Sequence, residues 1–461
     1  MTSPERSVSA LDLGLLAPGR AGSRIEAETG DGAYLQALLD AEAALARAQA
    51  GLELIPRAAG EAVTAAALAE RFDLRELALD ASDGGNPVIP LVAALRAAVG
   101  EEHAGAVHRG ATSQDVLDSA TMLVAERSRA VILADLDRTA AALAVLAARH
   151  RLTPMAGRTL TQHAVPTSFG LKVAGWRSLL LDARDRLSAL TLPAQLGGAA
   201  GTLAALIPED EAHSVFELVV RYANEVGLDI PTLPWQVMRT PVADLGGALA
   251  LTAGALGKFA ADVLVLARTE IGEIVLRGAG GSSAMPHKAN PVQATLIASV
   301  ARQVPAFAGV LYGSMAAEDE RPAGAWHAEW QPLREALRQT GMAAELAAHL
   351  AYNLEARPER MARNLALSNG LIVSERLIGA LEPLLGRAAA RATVTEAARL
   401  ATEQDAKLAD VLCTLPEISA LIDAKQLTEE RLAELLDPAG YLGAAAELVD
   451  RALSRGPRAG K

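Results

Sequence analysis

No proline interrupts the sixty-three residues between Pro90 and Pro154. A helix interior rarely tolerates proline, which lacks an N–H and clashes with the preceding turn, so proline positions mark where long helices can run. The second part of this stretch, residues 113–152, is helical in composition throughout. As one rod it would reach about 60 Å at ~1.5 Å per residue. Further long runs lie between Pro166 and Pro193, between Pro241 and residue 277, and between Pro332 and Pro358. A fifth, 291–315, contains Pro305, read as a kink. Five long helices in the middle of one chain predict an elongated bundle.

Composition says what such a bundle is made of. Hydrophobic residues are 51% of the chain and aromatics only 3%, which excludes disorder over most of it and leaves Ala, Leu and Val to build the core. Small residues favour closely approaching helices over sheets, which draw on aromatic and β-branched side chains. Leu249, Leu256, Phe259, Val263 and Leu266 recur at helical spacing, with Lys258, Asp262 and Arg268 offset from them. The stretch 140–148 is apolar on more than one face, so bundles from several subunits are expected to pack together. Ahead of the bundle, residues 33–50 form an amphipathic helix with Leu35, Leu38, Leu39 and Leu45 on one stripe, and 84–90 reads as a loop. Behind it, Gly370, Gly379, Gly386 and Pro416 punctuate shorter helices, and the last eight residues read as a frayed tail.

The formal net charge is −12, a poor balance for wrapping nucleic acid or an anionic membrane surface. Cys413 is the only cysteine, which removes an internal disulfide framework and points to a reducing, cytoplasmic setting. The N-terminus lacks the basic region of a secretory signal. Residues 187–208 carry no charge, but their Pro, Gln, Gly and Thr suit a packed turn between helices rather than a membrane span.

Polar and cationic residues interrupt the apolar pattern at three loops. HRGATSQD (108–115) places Thr112 as an N-cap with Asp115 three residues on, opening the longest helix. It is either a well-capped helix or a carboxylate site built from helix-start N–H groups with Thr112, Ser113 and Gln114. GRTLTQHAVP (157–166) gathers Arg158, Gln162 and His163 ahead of a helix expected to start at Pro166. GAGGSSAMPHKANP (278–291) combines mobile glycines with Ser282, Ser283, Lys288 and Asn290. It is no phosphate-binding loop, since GxxxxGK[ST] cannot be written over it. The segment 318–330, dense in charge and tryptophan, reads equally as an exposed charged loop or as part of a site. No HExxH pair or other metal spacing occurs among the eight histidines, and no G-x-S-x-G elbow supports a serine hydrolase.

GSSAMPHKANP resembles the signature loop of the fumarase/aspartase superfamily, and the other two loops resemble its remaining site segments in order and spacing. Within it, HRGATSQD, GRTLTQHAVPTSFGLKVAGW, QLGGAAGTLAAL and ERPAGAWHAEW resemble the 3-carboxy-cis,cis-muconate cycloisomerases of aromatic-compound degradation. The resemblance implies an all-α fold of three domains (1–111, 112–357 and 358–461) and a homotetramer whose central bundle joins five helices from each chain. It implies sites composed from three subunits and no metal or organic cofactor. By position it makes Ser282 the acid/base residue, with Ser283 as the alternative. Lys288 and Asn290 match carboxylate-binding positions; Thr112, Ser113 and Gln114 match the helix-start anion site. His108 and Gln162 line the cleft, and Arg321 faces substrate.

One departure bears on the reaction. Many superfamily lyases carry a histidine that protonates the leaving group at the position held here by Leu160. An intramolecular lactonisation needs no such acid, because the nucleophile is an ionised carboxylate and the only proton transfer is to carbon. His163 is the stand-in if a second proton carrier is required. A tricarboxylate approaching an acidic protein needs a local positive field, expected from Lys288, Arg158, Arg239, Arg321 and Arg109. The alternative is another lyase of the superfamily, acting on adenylosuccinate, argininosuccinate or a substituted succinate and releasing fumarate.

Overall fold

The computed structural model describes residues 14–207, 214–277, 285 and 288–458. The N-terminal segment comprises α1 (Arg24–Thr29), α2 (Asp31–Gly51), α3 (Arg57–Ala66), α4 (Leu74–Gly84) and α5 (Val88–Val99). The loop expected over 84–90 is thus shorter, because α5 starts at Val88 and carries Pro90 in its first turn, where a missing N–H costs nothing. The five long helices follow as α6 (Ser113–Arg149), α7 (Phe169–Ser188), α9 (Thr240–Leu266), α10 (Val292–Gly313) and α11 (Ala325–Asn353), with the shorter α8 (Val215–Val226) before α9. The C-terminal segment holds α12 (Pro358–Ala366), α13 (Ser374–Leu385), α14 (Arg387–Glu403), α15 (Leu408–Thr414), α16 (Pro416–Asp423), α17 (Glu429–Leu436) and α18 (Ala445–Ser454).

Small residues let the bundle helices approach closely, as the composition requires. Gly246 of α9 lies against Leu311 of α10, and Gly257 against Ala301, so the two run antiparallel. Leu249, Leu256, Phe259, Val263 and Leu266 are all buried, as their spacing predicts. Both α9 and α10 are long and apolar enough to cross a membrane, yet they pack here against their bundle neighbours. α11 begins at Ala325 and runs through Pro332, so that proline does not mark its start.

At the second loop, Pro166 does not start a helix. Residues 154–168 form a hairpin, β1 (Pro154–Thr159) against β2 (Gln162–Ser168), with Pro166 inside the strand and Ser168 capping α7. A second two-stranded ladder joins β3 (Ile274–Leu276) to β4 (Leu354–Ala356). One hydrophobic core runs through the N-terminal segment and the bundle, while a separate one fills most of the C-terminal segment. α18 returns to the bundle, and the tail behind it is held rather than frayed as far as residue 458. Arg455 pairs with Asp182 and Asp185, and the Arg458 N–H donates to Asp185.

Candidate functional site

Helix direction sorts the candidate residues into two groups. At one end lie the starts of α6, α9 and α11, joined through Asp118, Arg239, Trp326 and Glu329. At the other end α6 finishes against the start of α7, where Gly170 N–H donates to His150 O. The β3–β4 ladder places the ends of α9 and α11 there too, and α10, antiparallel to α9, begins beside them. The first end carries His108, Arg109, Thr112, Ser113, Gln114, Arg239 and Arg321. The second carries Arg158, Gln162, His163, Lys288 and Asn290. The 37 residues of α6 between them span about 55 Å at ~1.5 Å per residue.

At the first end the capping box forms as expected, with Thr112 N–H donating to Asp115 Oδ2 at 3.0 Å. Asp115 also accepts from the N–H groups of Gly197 and Gly198 at 2.8 and 2.9 Å, which ties the uncharged segment after α7 down as a packed turn. Burial pushes the Asp115 carboxyl up to about 7, against the pull of these three donors. Arg321 crosses the helix start: its Nη2 donates to Thr112 Oγ1 at 2.8 Å and its Nε to Gln114 Oε1 at 3.0 Å. Both acceptors are neutral, so among the described residues the guanidinium charge stays uncompensated at a helix N-terminus, where an anion is favoured. Gln114 is fully buried, its amide nitrogen given to Gln236 O and Asp118, so it holds Arg321 instead of meeting a ligand.

The loop before the helix start is held by α2. His108 and Gly110 both adopt left-handed backbone, φ 62° and 75°, and a Cβ on Gly110 would lie 2.4 Å from Ala205 O. Gln49 Nε2 donates to Arg109 O at 2.9 Å, and His108 Nδ1 lies 2.6 Å from Glu42 Oε1.

Two of the arginines expected in the positive field are neutralised by acids, and a third is held by a carbonyl. Arg239 is enclosed by Asp118 and Glu329, all three side chains 2–4% exposed. Arg109 donates to Leu54 O. Arg158 forms a two-pronged pair with the buried Glu273 at 3.0 and 2.7 Å, and Asn364 holds the same carboxylate. The 318–330 segment matches neither of its readings as a whole. Glu318, Asp319 and Glu320 are exposed, whereas Trp326 and Glu329 are buried in the first turns of α11 around Arg239. Asp118, Glu273 and Glu42 escaped notice in the sequence, although each is an acid at an otherwise buried helical or strand-edge position.

At the second end, the hairpin closes through Leu160 and Thr161, both left-handed at φ 47° and 71°. Leu160 stands 96% exposed at the tip. Gln162 is exposed and His163 half-buried beside it; burial first, and Arg158 second, hold the His163 ring below the ordinary histidine range. Lys288 is exposed and Asn290 half-buried ahead of α10. Ser282 and Ser283 lie outside the described residues. Among the described residues no group of three or more His, Cys, Asp or Glu could hold a metal ion.

The lyase family model matches residues 20–306, and that of the adenylosuccinate lyase C-terminus matches residues 370–452. Nitrosuccinate lyase of Streptomyces davaonensis is 54% identical over 99% of this chain and 98% of its own. The 3-carboxy-cis,cis-muconate cycloisomerase of Pseudomonas aeruginosa is 42% identical over 92% of each. The crystal structure of 3-carboxy-cis,cis-muconate lactonizing enzyme from Pseudomonas putida superposes with a TM-score of 0.87 at 38% identity, over 93% of this chain and 96% of that one. Helix order, site loops and full-length likeness agree: this chain is a lyase-family enzyme of the fumarase/aspartase superfamily.

Proposed function

We propose that the enzyme eliminates nitrite from 2-nitrosuccinate to give fumarate. A base, assigned to Ser282, removes a proton from C3, next to one carboxylate. The electron pair is held as an aci-carboxylate, then forms the C2–C3 double bond as the C2–N bond breaks and nitrite departs with its bonding pair. Nitrite is a weak base and leaves as the anion, so no acid is needed where the resemblance would place one. The 54% likeness to a nitrosuccinate lyase over nearly the whole chain is the observation that carries the reading, and Leu160 at that position agrees with it.

Charge supports a polycarboxylate. With Arg158 and Arg239 neutralised by acids, Arg321, Lys288 and Arg109, which meets the Leu54 carbonyl, keep their charge among the described residues. Closure of 3-carboxy-cis,cis-muconate is the second reading, favoured by the 42% relative and by the same Leu160. Incubating the purified protein with nitrosuccinate and with 3-carboxy-cis,cis-muconate separates them. Fumarate and nitrite in equal amounts support the first; loss of the diene without fumarate replaces it with the second.

The site on this reading is shared between chains of a homotetramer, each site drawing loops from three subunits. Its support is the length of α6, which keeps Arg321 and the hairpin apart within one chain, and the apolar surface at Val145, Val310 and Tyr312 of the bundle. The single exposed Cys413 fits a reducing, cytoplasmic setting.

A further inference from the structure

We propose that Glu42 is a positioning residue for the substrate site: from within α2 it fixes the ring of His108 at the start of α6. Two unfavourable features meet in this one contact. Glu42 sits among Ala41, Ala43, Ala44 and Leu45 with its side chain fully buried, and among the described residues its Oε2 has no hydrogen-bond partner. Burying a carboxylate with a single polar contact is costly, and packing alone would be served by another aliphatic residue. His108 for its part adopts left-handed backbone, φ 62°, which a non-glycine residue holds only when its surroundings impose it. What joins them is a 2.6 Å contact between His108 Nδ1 and Glu42 Oε1.

A carboxylate only accepts, so the proton between the two atoms belongs to Nδ1, and Nε2 becomes the ring atom directed away from α2. The His108 side chain is 15% exposed, whereas that of Glu42 is closed off. His108 lies four residues before Thr112, whose hydroxyl is bound to Arg321. Gln49, seven residues beyond Glu42 on the same buried face, holds the next backbone carbonyl, at Arg109. The α2 helix therefore presents two polar side chains to this loop, one fixing its backbone and the other its ring. The ligand so addressed is an anion at the helix start; its identity as a nitrosuccinate carboxylate rests on the function proposed above.

The test is a double-mutant cycle on kcat/KM for nitrosuccinate. Glu42→Met removes the acceptor at similar volume, Glu42→Gln keeps an acceptor oxygen, and His108→Gln removes the ring. Melting curves report folding, and Glu42→Ala replaces Glu42→Met where the latter does not fold. Glu42→Met should lower kcat/KM by about ten- to a hundredfold, the scale of a lost hydrogen bond to a charged group, while Glu42→Gln restores most of it. In the His108→Gln background the Glu42→Met loss should fall below about twofold. Equal losses in both backgrounds would overturn the proposal. Carbethoxylation of His108, followed by peptide mass spectrometry without substrate, should change at least about threefold in Glu42→Met, because its ring is released. An unchanged labelling rate overturns the positioning role even if the protein proves to act on another substrate; inactivity of the wild type on nitrosuccinate removes the substrate reading alone.

Discussion

Arg239 Nη2 lies 2.6 Å from Glu329 Oε2, and through Nη1 the same guanidinium reaches Asp118 Oδ2 at 2.7 Å. Trp326 Nε1–H donates to the other Asp118 oxygen, and the Arg239 guanidinium also lies over the Trp235 ring. One cation thus binds two buried carboxylates where α6, α9 and α11 begin. Removing it strands both acids away from water, so Arg239→Ala should destabilise the protein by about 3–5 kcal/mol. Denaturant unfolding checks this. The residue acts through structure, so the surviving folded enzyme should not show the selective rise in KM expected of a substrate-binding arginine.

Arg321 should behave in the opposite way. Its partners are neutral and it is exposed, so Arg321→Ala should leave the melting temperature within a few degrees of wild type while raising KM about tenfold or more. A similar KM with a lowered melting temperature would reverse the roles assigned to these two arginines.

The contrast between Arg239 and Arg321 shows what the sequence can and cannot say. Helix period and proline spacing placed all five bundle helices, with the end of α9 overrun by 11 residues and the start of α11 set 7 late, because repeated burial along one face leaves a one-dimensional trace. Thr112 and Asp115 were legible as a capping box because both partners lie within one turn. Arg158, Arg239 and Glu273 were not, since whether an arginine is free or neutralised depends on an acid 90 or more residues away. The hairpin was missed for a related reason. Its turn uses Leu160 and Thr161 at positive φ, where Asn-Gly would have announced it.

That turn supplies a prediction about the leaving group. Leu160 is almost entirely exposed and has no group that can move a proton. If nitrite departs unprotonated, Leu160→Ala should retain nitrite release within about tenfold and leave stability unchanged, since surface truncations rarely exceed ~0.5 kcal/mol. A loss of several orders of magnitude in kcat would show that the side chain shapes the reacting geometry directly.

Asp115 gives a pH dependence of stability. Burial raises its carboxyl from the ordinary 3.8 to about 7, so the folded state holds this proton more tightly than the unfolded chain. The stability it contributes is full below the unfolded value and is lost as pH climbs through the interval to about 7. Asp115→Asn keeps an acceptor oxygen but cannot ionise. The melting-temperature advantage of wild type over this variant should therefore shrink between about pH 4 and about pH 7. A constant or widening gap would mean that the three N–H donors outweigh burial.

The separation of the candidate residues along α6 predicts complementation between inactive variants. Ser282→Ala should lower turnover by orders of magnitude with assembly intact, Ser283→Ala being the control for which hydroxyl serves. Arg321→Ala damages the end where α6 starts. If each site takes its signature loop and its helix start from different subunits, a mixed oligomer of the two variants contains some sites with both residues intact. Co-expression with distinct affinity tags isolates such hybrids, and their activity should exceed that of either variant alone. Hybrids no more active than the parents would mean that both residues serve one site from one chain, and would overturn the shared-site reading.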